Sequence, residues 1–126
     1  MQHSELVYIK TVPGKGRGVF ARADIKKGAI VERVPVCLVP FEMLQGAPKN
    51  PILAKLFYEW DKKHMAVTLG YGSIYNHSYK PNAKYEHGNK VMTYRAIRDI
   101  AADEEITVNY NGKPTAKGPV GFDVKE

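Results

Sequence analysis

Three stretches of this 126-residue chain hold side chains in patterns that could do chemistry. In Gly14-Lys15-Gly16-Arg17-Gly18-Val19-Phe20, closely spaced glycines let a backbone bend sharply and bring its amides against a ligand, although a plain hairpin needs no more. In Tyr75-Asn76-His77-Ser78, with Pro81-Asn82 just behind, an amide side chain offers both a donor and an acceptor. Asn76-His77-Ser78 is also formally a glycosylation acceptor, but no basic start followed by an apolar run supports a secretory signal. In Asp103-Glu104-Glu105-Ile106-Thr107-Val108-Asn109-Tyr110, an acidic turn leads into a β-favouring run that ends on a hydroxyl able to orient a reacting group. Its plain reading is an ordinary strand ending in a half-buried tyrosine.

Other chemistries lack their residues. There is no Gly-x-x-x-x-Gly-Lys phosphate loop, no Gly-x-Ser-x-Gly elbow and no His-Glu-x-x-His pair. His3, His64, His77 and His87 follow no metal-ligand spacing, and Cys37 is the single cysteine, so no metal site and no intrachain disulfide are expected.

The elements that must position these residues read as mainly β. Leu6 to Ile9, Gly18 to Ala21, Ala29 to Val34, Val91 to Ile97 and Ile106 to Tyr110 are rich in Val, Ile, Thr and aromatics. Pro13-Gly14-Lys15-Gly16 and Lys27-Gly28 mark turns, and Glu86-His87-Gly88-Asn89-Lys90 marks a hairpin turn. One main helix is expected, with Asn50 as cap, Pro51 in its first turn, and Leu53, Leu56, Phe57 and Trp60 as a core-facing stripe.

With 44% hydrophobic and 25% charged residues and no apolar run near the roughly 20 residues of a membrane span, the composition is that of one globular domain. A cytoplasmic location is expected, with delivery into a host cell left open. The formal charge of +6 would suit polyanions, but Lys26-Lys27 and Lys62-Lys63 are isolated pairs rather than a stripe, and Asp103-Glu104-Glu105 interrupts them. Nucleic acid is therefore the weaker candidate partner.

The three stretches together, in this order, resemble the SET domain. That family carries a Gly-x-Gly turn, then Asn-His-Ser with Pro-Asn close behind, then Glu-Leu/Ile-Thr-x-x-Tyr; here these are Gly16-Arg17-Gly18, Asn76-His77-Ser78 with Pro81-Asn82, and Glu105-Ile106-Thr107-Val108-Asn109-Tyr110. Gly18-Val19-Phe20-Ala21 with Ile25-Lys26-Lys27-Gly28, and Ala96-Ile97-Arg98-Asp99-Ile100, resemble its flanking elements, so the likeness spans almost the whole chain. Its brevity is similar to the small stand-alone SET proteins of bacteria and large viruses.

The resemblance implies a SET-domain fold of several short sheets with a threaded, knot-like C-terminal segment. It implies a protein-lysine methyltransferase using S-adenosyl-L-methionine on a protein or peptide substrate. Gly16, Arg17 and Gly18 would face the amino-acid end of that donor, with Asn76 and His77 also contacting it. Tyr110 matches the catalytic tyrosine; its ordinary pKa of about 10 suits positioning better than proton abstraction. Tyr85, Val108 and Tyr75 would lie at the substrate-lysine channel. With Val108 where many members carry Phe or Tyr, the expectation leans toward monomethylation.

The implied division is a SET domain over residues 1–111 and a zinc-free lid over 112–126, because the family's zinc-binding cysteine cluster is missing. Some zinc-free relatives stack a tryptophan on adenine near the end of that tail; Gly121 holds the matching position here, and Phe122 either replaces it or plugs the core. The protein would be a monomer or homodimer. The competing reading is a catalytically inactive SET-like binding module with a basic surface.

Overall fold

A computed structural model describes residues 5–46, 49–50, 52–120, 124 and 126. The first hairpin joins β1 (Val7–Val12) to β2 (Gly16–Ala21), with Val12 paired to Gly16 and Val7 to Ala21. Its turn needs left-handed backbone at Gly14 and Gly16, both at φ 80°, and closes through the Lys15 amide donating to the Val12 carbonyl at 3.0 Å.

The long β3 (Ile30–Pro40) serves two partners. Its first half pairs antiparallel with β8 (Val91–Ala96) and its second half with β5 (His64–Thr68). With β4 (Phe57–Glu59) and β7 (Ala83–Gly88) at the edges, the five-stranded sheet runs β4-β5-β3-β8-β7. The hairpin between β7 and β8 is tight: Gly88 pairs with Val91, leaving only Asn89 and Lys90, both at positive φ, in the turn.

The second sheet runs β1-β2-β9-β6, with β9 (Glu105–Val108) antiparallel to β2 and parallel to β6 (Asn76–His77). Strands far apart in the chain thus become neighbours. The core between the sheets holds Val7, Val19, Val31, Val34, Tyr75, Met92, Tyr94, Ile106 and Val108, all nearly or fully buried. Period two is clean in β8, where Met92, Tyr94 and Ala96 are buried and Val91, Thr93 and Arg95 are not.

The mainly β expectation holds, but the expected main helix does not form. Asn50 Oδ1 does accept the amides of Ile52 and Leu53, at 2.9 and 3.0 Å, yet only a 3-10 turn at Leu53–Leu56 follows, with Ile52 at its N-cap position. Phe57, Tyr58 and Glu59 then extend to pair with Val67, Ala66 and Met65 of β5. Sheet pairing of β-favouring aromatics outweighs the 3.6-residue spacing. Leu53 stays 41% exposed rather than entering the core. Pro51 lies outside the described residues. No helix among the described residues is long and apolar enough to cross a membrane.

Candidate active site

The parallel pairing of β6 with β9 is what assembles the site. Asn76 lies opposite Thr107 and His77 opposite Val108, and the Ser78 amide donates to the Val108 carbonyl at 3.0 Å. Asn82, 1% exposed, locks the same junction. Its amide nitrogen donates to Glu104 Oε2 at 2.9 Å and to the Glu105 carbonyl at 2.8 Å, while its oxygen accepts the Thr107 amide at 2.9 Å. Buried polar groups so fully satisfied fix one register.

At one end of this junction lies the Gly16-Arg17-Gly18 edge of β2. Asn76 Nδ2 donates to the Arg17 carbonyl at 3.1 Å and to Glu105 Oε2 at 2.6 Å, and Lys15 Nζ pairs with Glu105 Oε1 at 3.3 Å. Glycine at position 18 lets Glu105 and Asn76 close over the strand, because a Cβ there would sit 2.5 Å from Glu105 Oε2 and 3.0 Å from Asn76 Nδ2 and Glu105 would have to shift. Around Gly16 the space is open, with nothing within 4 Å of a Cβ position. Glu105, quoted above only as part of a motif, is thus the charged hub of this end.

At the other end stands Tyr110. Its amide donates to His77 Nδ1 at 3.0 Å, its hydroxyl donates to the Tyr75 carbonyl at 2.5 Å, and its carbonyl accepts the Tyr85 hydroxyl at 3.3 Å. His77 must therefore present a lone pair on Nδ1, and burial holds its pKa below the ordinary value. The His77 ring also packs 5.2 Å from the Tyr110 ring. Burial pushes the Tyr110 hydroxyl up to about 12, with the nearby Glu105 charge adding to it, so it stays protonated near neutrality. The residue as a whole is 40% exposed.

Beside Tyr110 stands a cluster of tyrosines in which Tyr75 and Tyr85 are joined by Tyr58 and Tyr94, two residues outside every motif. Tyr58 and Tyr85 meet edge to face at 4.8 Å, Tyr75 stacks on Tyr94 at 4.5 Å, and Tyr94 donates its hydroxyl to that of Tyr58 at 3.0 Å. Burial raises the Tyr85 hydroxyl to about 12. Tyr75 presents its carbonyl to Tyr110; its ring is fully buried, with its hydroxyl on Glu32 Oε1 at 2.9 Å. Val108 is likewise fully buried, opposite His77 in the β6–β9 pairing. Tyr58 was hidden in the expected helix. Tyr94 carried a usable signal in the alternation of β8.

The tail folds back on the same region. Asn109 Nδ2 donates to the Ala116 carbonyl at 2.7 Å, and Asn111 Nδ2 and the Tyr79 hydroxyl both donate to the Gly118 carbonyl, at 2.8 and 3.0 Å. Glu126 accepts the Ser78 hydroxyl at 2.5 Å and the Tyr79 amide at 3.2 Å. Gly121 and Phe122, named above for adenine stacking, lie outside the described residues. Among the described residues no group of three His, Cys, Asp or Glu side chains could hold a metal ion.

Known proteins share both the pattern and the shape. The chain is 31% identical over 104 residues, 81% of its length, to a Schizosaccharomyces pombe protein named histone-lysine N-methyltransferase, H3 lysine-37 specific, covering 71% of that protein. The solved structure of a Plasmodium falciparum protein provisionally described as a histone methyltransferase superposes with a TM-score of 0.71 at 36% identity, covering 87% of this chain and 95% of that one. The SET domain family matches residues 16–111, a span that runs from the glycine-rich turn past Tyr110, and the chain belongs to that family.

Proposed function

We propose that this protein is a protein-lysine methyltransferase that takes its methyl group from S-adenosylmethionine. The observation that carries the reading is Tyr110, whose amide, hydroxyl and carbonyl are held by His77, Tyr75 and Tyr85 in a family member that keeps the three ordered motifs. Relatives named for histone-lysine methylation support the same activity.

The residues present fit such a donor. An amino-acid zwitterion needs open backbone and both signs of charge; Gly16 leaves open space where a Cβ would stand, and the neighbouring Lys15 is paired with Glu105. Gly16, Arg17, Gly18, Asn76 and His77 would hold it. When bound, the donor supplies an electrophilic methyl on a positively charged sulfur, open to direct displacement by an amine.

The chain's own part is positioning. A lysine ammonium ordinarily keeps its proton up to about pH 10.4, and an apolar, aromatic entry disfavours the charged form, easing its loss. Tyr110, protonated across the neutral range, orients the nitrogen through its hydroxyl rather than abstracting a proton. Alignment of this kind alone is worth several kcal/mol, roughly a hundredfold in rate or more.

Three finer points belong to the same reading. Histone-type basic peptides are the first substrates to test, since both relatives are named for histones. Val108, which brings no hydroxyl, together with Tyr85 leans the product toward monomethyl-lysine. Residues 112–126 act as a lid without zinc, a role supported by the tail's bonds to Asn109, Asn111 and Tyr79. The test is transfer of labelled methyl groups to a peptide panel, read by intact mass. Transfer with a dominant +1 methyl product is expected; absence of both transfer and calorimetric donor binding would turn the reading toward a non-catalytic module.

A further inference from the structure

Glu32 is a carboxylate at 6% exposure near the start of β3, and neither the motifs nor the donor site uses it. A β-bulge puts it there. Ile30 pairs with Arg95 and Glu32 with Tyr94, two steps against one, so Val31 and Glu32 both turn inward where strict alternation would bury only one of them. Glu32 Oε1 then accepts the Tyr75 hydroxyl at 2.9 Å and the Tyr71 amide at 3.1 Å.

These bonds clamp the segment from Gly70 to Tyr75 onto β3. A side chain at Gly70 would sit 2.5 Å from Glu32 Oε2 and 2.6 Å from Val34 Cγ1, so the segment lies flat against the carboxylate. The Ile74 amide closes a turn onto the Tyr71 carbonyl at 2.8 Å, and the Tyr58 hydroxyl pins the Gly72 carbonyl at 2.6 Å. The segment ends at Tyr75, whose carbonyl receives the Tyr110 hydroxyl. We infer that Glu32 is a positioning residue: through the Tyr75 hydroxyl it fixes the Tyr75 carbonyl, and through that carbonyl the direction of the Tyr110 O–H.

Burial raises the Glu32 carboxyl above its ordinary range, while the Tyr75 hydroxyl and the Tyr71 amide pull it back. The Tyr75 hydroxyl lies on Oε1 and the Tyr71 amide is shared between Oε1 at 3.1 Å and Oε2 at 3.3 Å, so a glutamine oxygen in place of Oε1 keeps the Tyr75 bond and the shorter of the two Tyr71 bonds. Side chains of the Asp103 to Glu105 cluster play no part in this clamp. The clamp also explains why Tyr75 is fully buried although it belongs to the site: its ring and hydroxyl hold, and only its backbone oxygen faces the chemistry.

The inference rests on the reading of Tyr110 as the reactive centre, and its test has one arm independent of that reading. Tyr75→Phe keeps the ring stacked on Tyr94 and removes only the bond to Glu32, so it is expected to fold. Its kcat should fall about tenfold while peptide KM and donor affinity stay within about twofold, since misplacement remote from the chemistry acts on the rate. Glu32→Ala should match it, and Glu32→Gln should recover most of the loss. In the second arm, the ring carbon bearing the Tyr110 hydroxyl, observed by NMR of 13C-tyrosine protein without donor, should shift in Tyr75→Phe and Glu32→Ala but stay in place in Glu32→Gln. A folded Tyr75→Phe protein with unchanged kcat and an unmoved Tyr110 signal overturns the inference. If the wild type transfers no methyl, the function reading fails by itself and the NMR arm alone decides the clamp: a moved signal upholds it and an unmoved one overturns it.

Discussion

The two sheets bring different chemistry to the site. At the four-stranded sheet lie polar locks: Asn76 on Glu105 and Arg17, His77 on the Tyr110 amide, and Asn82, reaching over from the bend before β7, on Thr107 and Glu105 of β9. From the five-stranded sheet come Tyr58, Tyr85 and Tyr94, hydroxyls set in apolar packing with one buried carboxylate behind them. In the first region side chains saturate backbone groups across a strand junction. In the second, rings shape a wall and hydroxyls bond one another. The motif residues of the family therefore hold two chain segments together, while Tyr58 and Tyr94 of the wall beside Tyr110 stand at positions no motif marks.

That contrast can be broken experimentally, and the largest effect should fall on the polar side. Asn82→Ala leaves the Thr107 amide and the Glu105 carbonyl without their partner in a site that is 1% exposed, so unfolding free energy should drop by about 3 kcal/mol. Chemical denaturation measures this, and a loss under about 1 kcal/mol would show that the junction is held elsewhere. Next comes Tyr110→Phe, which should cut methyl transfer by about a hundredfold while leaving the melting temperature within a few degrees. Activity that survives unchanged would remove the hydroxyl from the mechanism.

A smaller change is expected at the charged rim. In Gly18→Ala the new methyl meets Glu105 Oε2 and Asn76 Nδ2, so Glu105 must leave Asn76 and calorimetric donor affinity should weaken about tenfold. Binding as tight as wild type would mean that Glu105 is free to move without consequence.

Acidification should have the mildest effect. His77 is held neutral by burial, with a folded pKa below the ordinary value of 6.5. Its contribution to stability is full above pH 6.5 and is lost as pH falls through that lower folded value, because the unfolded chain takes up the proton first. Protonation also ends the acceptor role of Nδ1 toward the Tyr110 amide. Melting temperatures taken from pH 7.5 down to 5 should fall, and fall less steeply in His77→Gln; equal slopes would assign the acid sensitivity to other groups.

Much of the polar half could be read from the chain. Glycines at 14, 16 and 18, the Asn76 and Asn82 amides and the Glu105 to Tyr110 run are local signals, because turn conformations and side-chain hydrogen-bonding capacity belong to the residue types themselves. The tyrosine wall was far less legible. The family resemblance places Tyr85 at the channel, but around Tyr58 the 3.6-residue spacing predicts a helix that β5 overrides through strand pairing. Glu32 gave no readable sign: in a run such as Ile30-Val31-Glu32-Arg33-Val34, alternation alone does not say which residues a bulge will turn inward.

Sequence by itself determined the kind of protein: the β-favouring runs, the turns between them and the ordered motifs that end at Tyr110. Only the tertiary structure decided which groups meet. Hydrogen-bond direction, burial and ring packing depend on strands brought together from distant parts of the chain, as when β6 settles beside β9 and the Tyr75 carbonyl comes to hold the Tyr110 hydroxyl.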